Sequence, residues 1–337
     1  MQPIIAISIG DIYGVGPEVI FKAFARSNLF SICRPVIYGP MAAMQWYKKK
    51  IGTLVDIRTV AHPDESDDNL LSLIDTGGTF DETRIGTPNA EGGRTSIDAI
   101  RMAYAAVAEG SASALVTAPI SKEAIGLAGS SFRGHTDMLA SFSDSGDDVI
   151  MILSSNTMKV GLVSIHVPLQ RVASLITRDR ILRTLRAGAH ALERDFAIHQ
   201  SRIAVLALNP HAGDGGFLGT EEHDVISPAI AEAKAEGIRV DGPFPADGFF
   251  SAHNKQLYDM IIAMYHDQGL IPFKMNASGR GVNISCGLPI VRTSPDHGTA
   301  YNIAGLGVAS AESMKEAIIG ACTIIANRSR LSAHAGA

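Results

Sequence analysis

Short apolar runs recur along the chain, most of them closed by glycine, proline or a charged residue. IIAIS (Ile4 to Ser8), PVIYG (Pro35 to Gly39), ALVTA (Ala114 to Ala118), VIMIL (Val149 to Leu153) and VGLVSI (Val160 to Ile165) read as β-strands. RIAVLAL (Arg202 to Leu208), MIIAMY (Met260 to Tyr265) and VNISC (Val282 to Cys286) read the same way. Several are apolar throughout rather than alternating, as in strands covered on both faces. Helical patterns lie between them: Pro17 to Ala25, Thr95 to Glu109, Arg178 to Arg194, Glu221 to Glu236 and Ala311 to Arg328. This alternation predicts an α/β protein with a mostly parallel central sheet. The polar stretch His62 to Asn69 and the Gly/Thr-rich stretch Thr76 to Gly93 read as surface excursions or linkers, and the tail from Ser329 to Ala337 as frayed.

At about 150 residues per domain, 337 residues predict two lobes. The balance of 29 Lys+Arg against 34 Asp+Glu leaves a charge of −5, without the basic face that nucleic acids or membrane surfaces need. Cys33, Cys286 and Cys322 are far apart and odd in number, which argues against a disulfide scaffold or thiolate zinc site and suits a reducing compartment. The opening MQPIIAISIGD has no basic leader and reaches an acid early, so a cytoplasmic location is expected. Apolar stretches are interrupted well before the ~20 residues that span a bilayer.

Ligands in open α/β sheets bind at the carboxyl ends of strands, and Gly, Pro, His and Asp collect there in this chain. In GDIYGVGPEV (Gly10 to Val19), Gly14 and Gly16 permit a tight strand-to-helix turn whose helix end can receive an anion. The turn lacks the G-x-G-x-x-G pattern and reads more readily as structural. In GHTD, preceded by Arg133, His135 and Thr136 either hold a polar ligand or cap a helix. His166, His211 and His266 each lie one to three residues past a predicted strand. One such histidine is an ordinary loop residue, but three in equivalent positions make a divalent-metal site plausible on spacing. Lys274, Arg280, Asn283 and Arg292 crowd into the run Phe273 to Gly305, as an anion site or a charged edge. Asp247 and Asp267 are the nearest acids for orienting a histidine or accepting a proton. Asp296-His297, before Gly298-Thr299, is a further cap or cofactor contact.

Longer motifs carry a resemblance. VTAPISK (Val116 to Lys122), GHTD, NPHAGDGGFLGTEE (Asn209 to Glu222), GPFPAD (Gly242 to Asp247), AMYHDQG (Ala263 to Gly269) and GRGVNISCGLPIVRTSPDHGTA (Gly279 to Ala300) span nearly the whole chain. Together they resemble the 4-hydroxythreonine-4-phosphate dehydrogenase family, which includes enzymes acting on D-threonate and D-erythronate 4-phosphates. The GxGPE turn also looks like that of β-decarboxylating dehydrogenases of the isopropylmalate and isocitrate type.

The resemblance implies a two-lobed α/β fold with its active site in the interlobe cleft. Residues 1–130 with 285–337 would form the cofactor-side lobe, and 131–284 the metal-binding and dimerisation lobe. It implies a cytoplasmic homodimer of pyridoxine biosynthesis. His166 and His211 of one subunit and His266 of the other would hold one divalent metal (zinc, magnesium, cobalt, manganese or nickel). His135, Thr136, Lys274, Asn283 and Arg292 match substrate-binding positions, and Lys274, Asp247 and Asp267 are candidates for proton handling. The implied reaction is metal-dependent oxidation, by NAD or NADP, of the 3-hydroxyl of a 4-phosphorylated four-carbon acid, followed by decarboxylation. The expected substrate is of the 4-phosphooxy-L-threonine type. An alternative is D-threonate or D-erythronate 4-phosphate, giving dihydroxyacetone phosphate and carbon dioxide; VTAPISK and GRTSIDAI (Gly93 to Ile100) look closer to that branch. Ile12-Tyr13 replaces the Pro and small residue usual after the acid in the first loop, and the bulk of Tyr13 is expected to reshape one wall of the cleft. A metal-dependent hydrolase or a metabolite-binding protein are the remote alternatives.

Overall fold

The computed structural model describes residues 2–25, 27–132, 134–143, 149–251 and 256–335. Arg133 lies outside them. The chain divides into two compact units, Met1–Gly146 with Leu288–Ala326, and Asp147–Gly287 with Asn327–Ala337. Relative to the boundaries expected from sequence, residues 131–146 join the first unit, while 285–287 and 327–337 join the second.

The first unit carries β1 (Ile4–Ser8), β2 (Arg34–Gly39), β3 (Ile57–Thr59), β4 (Leu71–Asp75), β5 (Ala114–Thr117) and, from late in the chain, β12 (Arg292–Pro295). They pair in parallel in the order β3-β4-β2-β1-β5-β12. Ile5, Ile7, Val36, Ile37, Leu115 and Val116 are fully buried, as the unbroken apolar runs predict.

The second unit carries β6 (Ile150–Ser154), β7 (Lys159–Leu162), β8 (Ile203–Leu206), β9 (Val240–Phe244), β10 (Met260–Ala263) and β11 (Val282–Cys286), ordered β11-β6-β7-β10-β8-β9. β6 runs antiparallel to both neighbours, while β7, β10, β8 and β9 are parallel. Val160, Leu162, Ala204, Leu206, Ile261 and Ala263 pack with Phe249 and Phe273 into the core over which the site loops stand.

Three expectations change. Gly92 and Gly93 are not loop residues but the first turn of the helix Ala90–Ala108, whose cap Asn89 accepts from the Gly92 amide at 3.0 Å. The tail does not fray at Ser329, because the last helix runs Glu312–Ala335. Its Arg328 Nε donates to buried Asp195 at 2.7 Å, and Asn327 donates to the Asp195 carbonyl at 2.9 Å. Helices Met41–Ile51 and His266–Ala277 stand where the sequence patterns predict none.

Candidate active site

Strand register brings two of the predicted histidines together. β7 and β10 pair with Leu162 opposite Ala263. The pairing continues past the strand ends, because Val163 and Ser164 donate their amides to the Ala263 and Met264 carbonyls. Ser164 adds its hydroxyl to Met264 O at 2.7 Å. The chain then turns at His166, in left-handed backbone with φ 37°, while His266 opens the helix after β10. The two rings stand 5.5 Å apart between centroids, tilted by 41°. They face a cavity of about 530 Å³ lined also by Ile165, Val167, Leu169, Val172 and Tyr265.

The donor set fits a divalent ion. His266 Nδ1 lies 2.6 Å from Asp267 Oδ1, which fixes the ring and leaves Nε2 for a ligand bond. A carboxylate behind a histidine is the usual support for a metal-bound imidazole. Asp267 is therefore engaged through its neighbour. Among the described residues of one chain, no group of three or more metal-capable side chains forms.

His211 sits on an unusual turn. Six successive residues from His211 to Gly216 have positive φ: 53°, 53°, 81°, 44°, 65° and 99°. A non-glycine residue in this conformation costs roughly 1–2 kcal/mol, and three of the six are not glycine. Such strain persists only where the surroundings over-determine it. Here a buried carboxylate does so: Glu222 accepts from the amides of Leu208 (2.8 Å) and Asn209 (2.7 Å) and from Asn209 Nδ2 (3.0 Å). Burial pushes the Glu222 carboxyl up, but the hydrogen bonds from Asn209 and Leu208 outweigh it and leave the pKa below the usual glutamate value. The His211 side chain itself is exposed and makes no hydrogen bond among the described residues.

The first unit buries a cation beside a histidine. Arg292, the first residue of β12, is 1% exposed and donates Nη2 to the Thr117 hydroxyl at 2.6 Å. Burial pulls its guanidinium down to about 9; a guanidinium meets that cost by meeting an anion, not by losing its proton. His135, first in the helix His135–Phe142, has its pKa held well below the usual imidazole value by burial and by the charge of Arg292, against a hydrogen bond to the Ala118 backbone. Its Nε2 is sealed from solvent with no partner. The guanidinium suits a phosphate or carboxylate, whereas Nε2 of the neutral ring, whose other nitrogen donates to the Ala118 backbone, is an acceptor and suits a hydroxyl.

Other predicted residues scatter. Lys274 is exposed on the helix His266–Ala277, eight residues and about 12 Å along the axis from His266. Asp247 is exposed, and its side chain makes no hydrogen bond or ion pair among the described residues. Asn283, on β11, donates to Met151 Sδ at 3.2 Å and leaves a buried Oδ1 without a partner. So the sequence crowd of Lys274, Asn283 and Arg292 is divided between the two units. His297 keeps Nδ1 on the Gly298 carbonyl at 3.0 Å and has a sealed, unpartnered Nε2.

The opening turn, Gly10 to Val19, is buried throughout. A Cβ at Gly16 would meet the Ile9 carbonyl at 2.3 Å, so the glycine serves close packing. Tyr13 packs within its own unit. It is 1% exposed, and its ring stacks on Phe80 at 5.6 Å within the first unit.

Three contributors escaped the sequence reading. Thr117 anchors Arg292, and Glu222 braces the His211 turn. Gln268 ties two strand ends, donating to Ala207 O at 2.6 Å and accepting from the Met264 amide at 2.7 Å. All three lie inside the quoted motifs, which was their only signal.

Residues 31–321 match the family model described as pyridoxal phosphate biosynthetic protein PdxA. The 4-hydroxythreonine-4-phosphate dehydrogenase of Bacteroides thetaiotaomicron is 42% identical over 328 residues, covering 97% of this chain and 90% of that protein. The enzyme of the same name from Prosthecochloris aestuarii is 43% identical over 330 residues, covering 96% and 97%. The crystal structure of 4-hydroxythreonine-4-phosphate dehydrogenase from Klebsiella pneumoniae superposes with a TM-score of 0.85 at 36% identity, covering 96% of this chain and 98% of that one.

Proposed function

The chain belongs to the pyridoxal phosphate biosynthetic protein PdxA family, and on that premise we propose that it is a nicotinamide-dependent dehydrogenase whose substrate is 4-phosphooxy-L-threonine. The observation that carries this reading is identity of 42% with a dehydrogenase of that specificity across 97% of the chain.

The reaction moves a hydride from the carbon bearing the 3-hydroxyl to NAD or NADP and releases the hydroxyl proton. The resulting β-keto acid then loses its carboxylate as carbon dioxide. A divalent ion held by the imidazoles would supply Lewis-acid polarisation of the alcohol and ketone oxygens. Asp267 orients His266 for that task. Arg292, fixed by Thr117, binds an anionic end of the substrate, and the open nitrogen of His135 accepts from a substrate hydroxyl. Thr136 and Asn283 are assigned to its polar groups, and Lys274 or Asp247 to the proton. The nucleotide is assigned to the first unit, where His297 Nε2 awaits a partner.

A second copy of the chain completes the site in this reading. Leu169 follows His166 at 73% exposure, Phe217 follows His211 at 86%, and Met275 rides on the His266 helix at 78%. Large exposed apolar side chains near His166 and His211 in sequence, and on the helix that His266 opens, support a homodimer interface there. The pairing of His166 with His266 inside one chain supports a division different from that first expected, with His211 the ligand given by the second copy.

The test is reduced-cofactor absorbance with 4-phosphooxy-L-threonine and with D-threonate and D-erythronate 4-phosphates, each with NAD and NADP, before and after chelation. Turnover is expected with the first substrate and is lost in chelator until a divalent ion is restored. A preference for the two sugar-acid phosphates moves the chain to the alternative branch. Silence with all three, or turnover indifferent to chelator, contradicts the reading.

A further inference from the structure

We propose that Glu222 is a positioning residue: its buried carboxylate holds the left-handed turn that presents His211 to the metal. The inference rests on the reading of His211 as a ligand. Glu222 is buried, at 5% exposure, and besides its own backbone amide it accepts from the chain just before His211. One carboxylate oxygen gathers the consecutive amides of Leu208 and Asn209. The other shares the Asn209 side-chain amide with Glu221, which accepts from it at 2.7 Å. The chain therefore leaves β8 in one direction only, and the next residues enter the turn.

The far side of the turn closes on the same group. A Cβ at Gly213 would lie 2.7 Å from the Gly219 carbonyl oxygen and 2.9 Å from Glu222 Oε2, so the turn is pressed against the carboxylate. Leu218 donates its amide to the Gly213 carbonyl at 3.0 Å and seals the loop. Glu222 itself opens a one-turn π-helix, Glu222–Ile226, an irregularity met often at functional sites. An exposed histidine with no hydrogen bond of its own has nothing else to aim it. Support behind a ligand commonly governs metal affinity by 10–100-fold.

The experiment uses the metal-free full chain titrated with cobalt(II), reading affinity and the visible ligand-field spectrum. The variants are Glu222→Ala, Glu222→Asp, Glu222→Gln and His211→Ala. Glutamine keeps an oxygen for the two backbone amides and should hold affinity near wild type. Aspartate, one methylene short, and alanine should weaken binding about 10–100-fold and shift the spectrum toward that of His211→Ala. Amide exchange in the metal-free protein should show Leu208 and Asn209 protected in wild type and Glu222→Gln, but not in Glu222→Asp. Should the alanine protein fail to fold, the Asp and Gln pair decides the matter. If His211→Ala weakens binding while Glu222→Asp binds cobalt as wild type does, the positioning role is wrong and the ligand reading survives. If His211→Ala leaves affinity unchanged, the ligand reading itself falls and takes the proposal with it.

Discussion

Arg292 shows how one buried side chain can be both a cost and a tool. Its guanidinium is desolvated at 1% exposure, and the Thr117 hydroxyl accepts one of its hydrogen bonds. In the proposed reading an anionic substrate group adds a charge-assisted contact. Charge-assisted hydrogen bonds of this kind contribute about 1.5–3 kcal/mol. Arg292→Ala should therefore raise KM for the phosphorylated acid by roughly 10–100-fold, with kcat changed far less. Steady-state kinetics across a wide substrate range checks this. An unchanged KM removes Arg292 from the anion site. His135 works by the opposite device, since burial and the Arg292 charge keep its ring neutral.

At the scale of elements, the close seating of helix Ala90–Ala108 on helix Lys122–Leu127 depends on a missing side chain. A Cβ at Gly93 would lie 2.0 Å from the Ala124 carbonyl oxygen, which is backbone and cannot rotate away. Gly93→Ala should destabilise the protein by about 1–3 kcal/mol through enforced separation of the two helices. Urea unfolding measures the loss; a midpoint equal to wild type would show that the helices part freely. This element also marks where sequence reading stops. The apolar strands β1, β7, β8 and β10 were legible because burial on both faces writes itself as unbroken hydrophobic runs. β12 was not, because its RTSP buries Arg292, Thr293 and Ser294 and looks like a loop. β9 was hidden by its Gly242-Pro243, and the His266–Ala277 helix by Pro272 in its interior. Strand ends were drawn too long at Ile165, Leu208 and Tyr265, where the chain had already become loop. The histidines His166 and His266 were legible nonetheless, since a residue just past a parallel strand is placed by register whatever the exact end. The support of His211 was not, because Glu222 acts from eleven positions away through backbone amides that no side-chain pattern encodes.

For the whole molecule, the candidate site residues stand at or just past strand ends or at helix starts, each held by the core of its own unit. Arg292, His135 and Thr117 belong to the first unit, and His166, His211, His266 and Asp267 to the second. The net charge of −5 offers no general positive field, so the proposed anion capture rests on the local placement of Arg292. The central claim is that the histidine pair just past β7 and β10 holds a divalent ion. Anomalous diffraction from crystals grown with zinc tests it most directly. The account predicts one strong peak per chain, about 2.0–2.1 Å from His266 Nε2 and from the His166 ring of the same chain. A saturated crystal with zinc elsewhere, and none between those two rings, would contradict it.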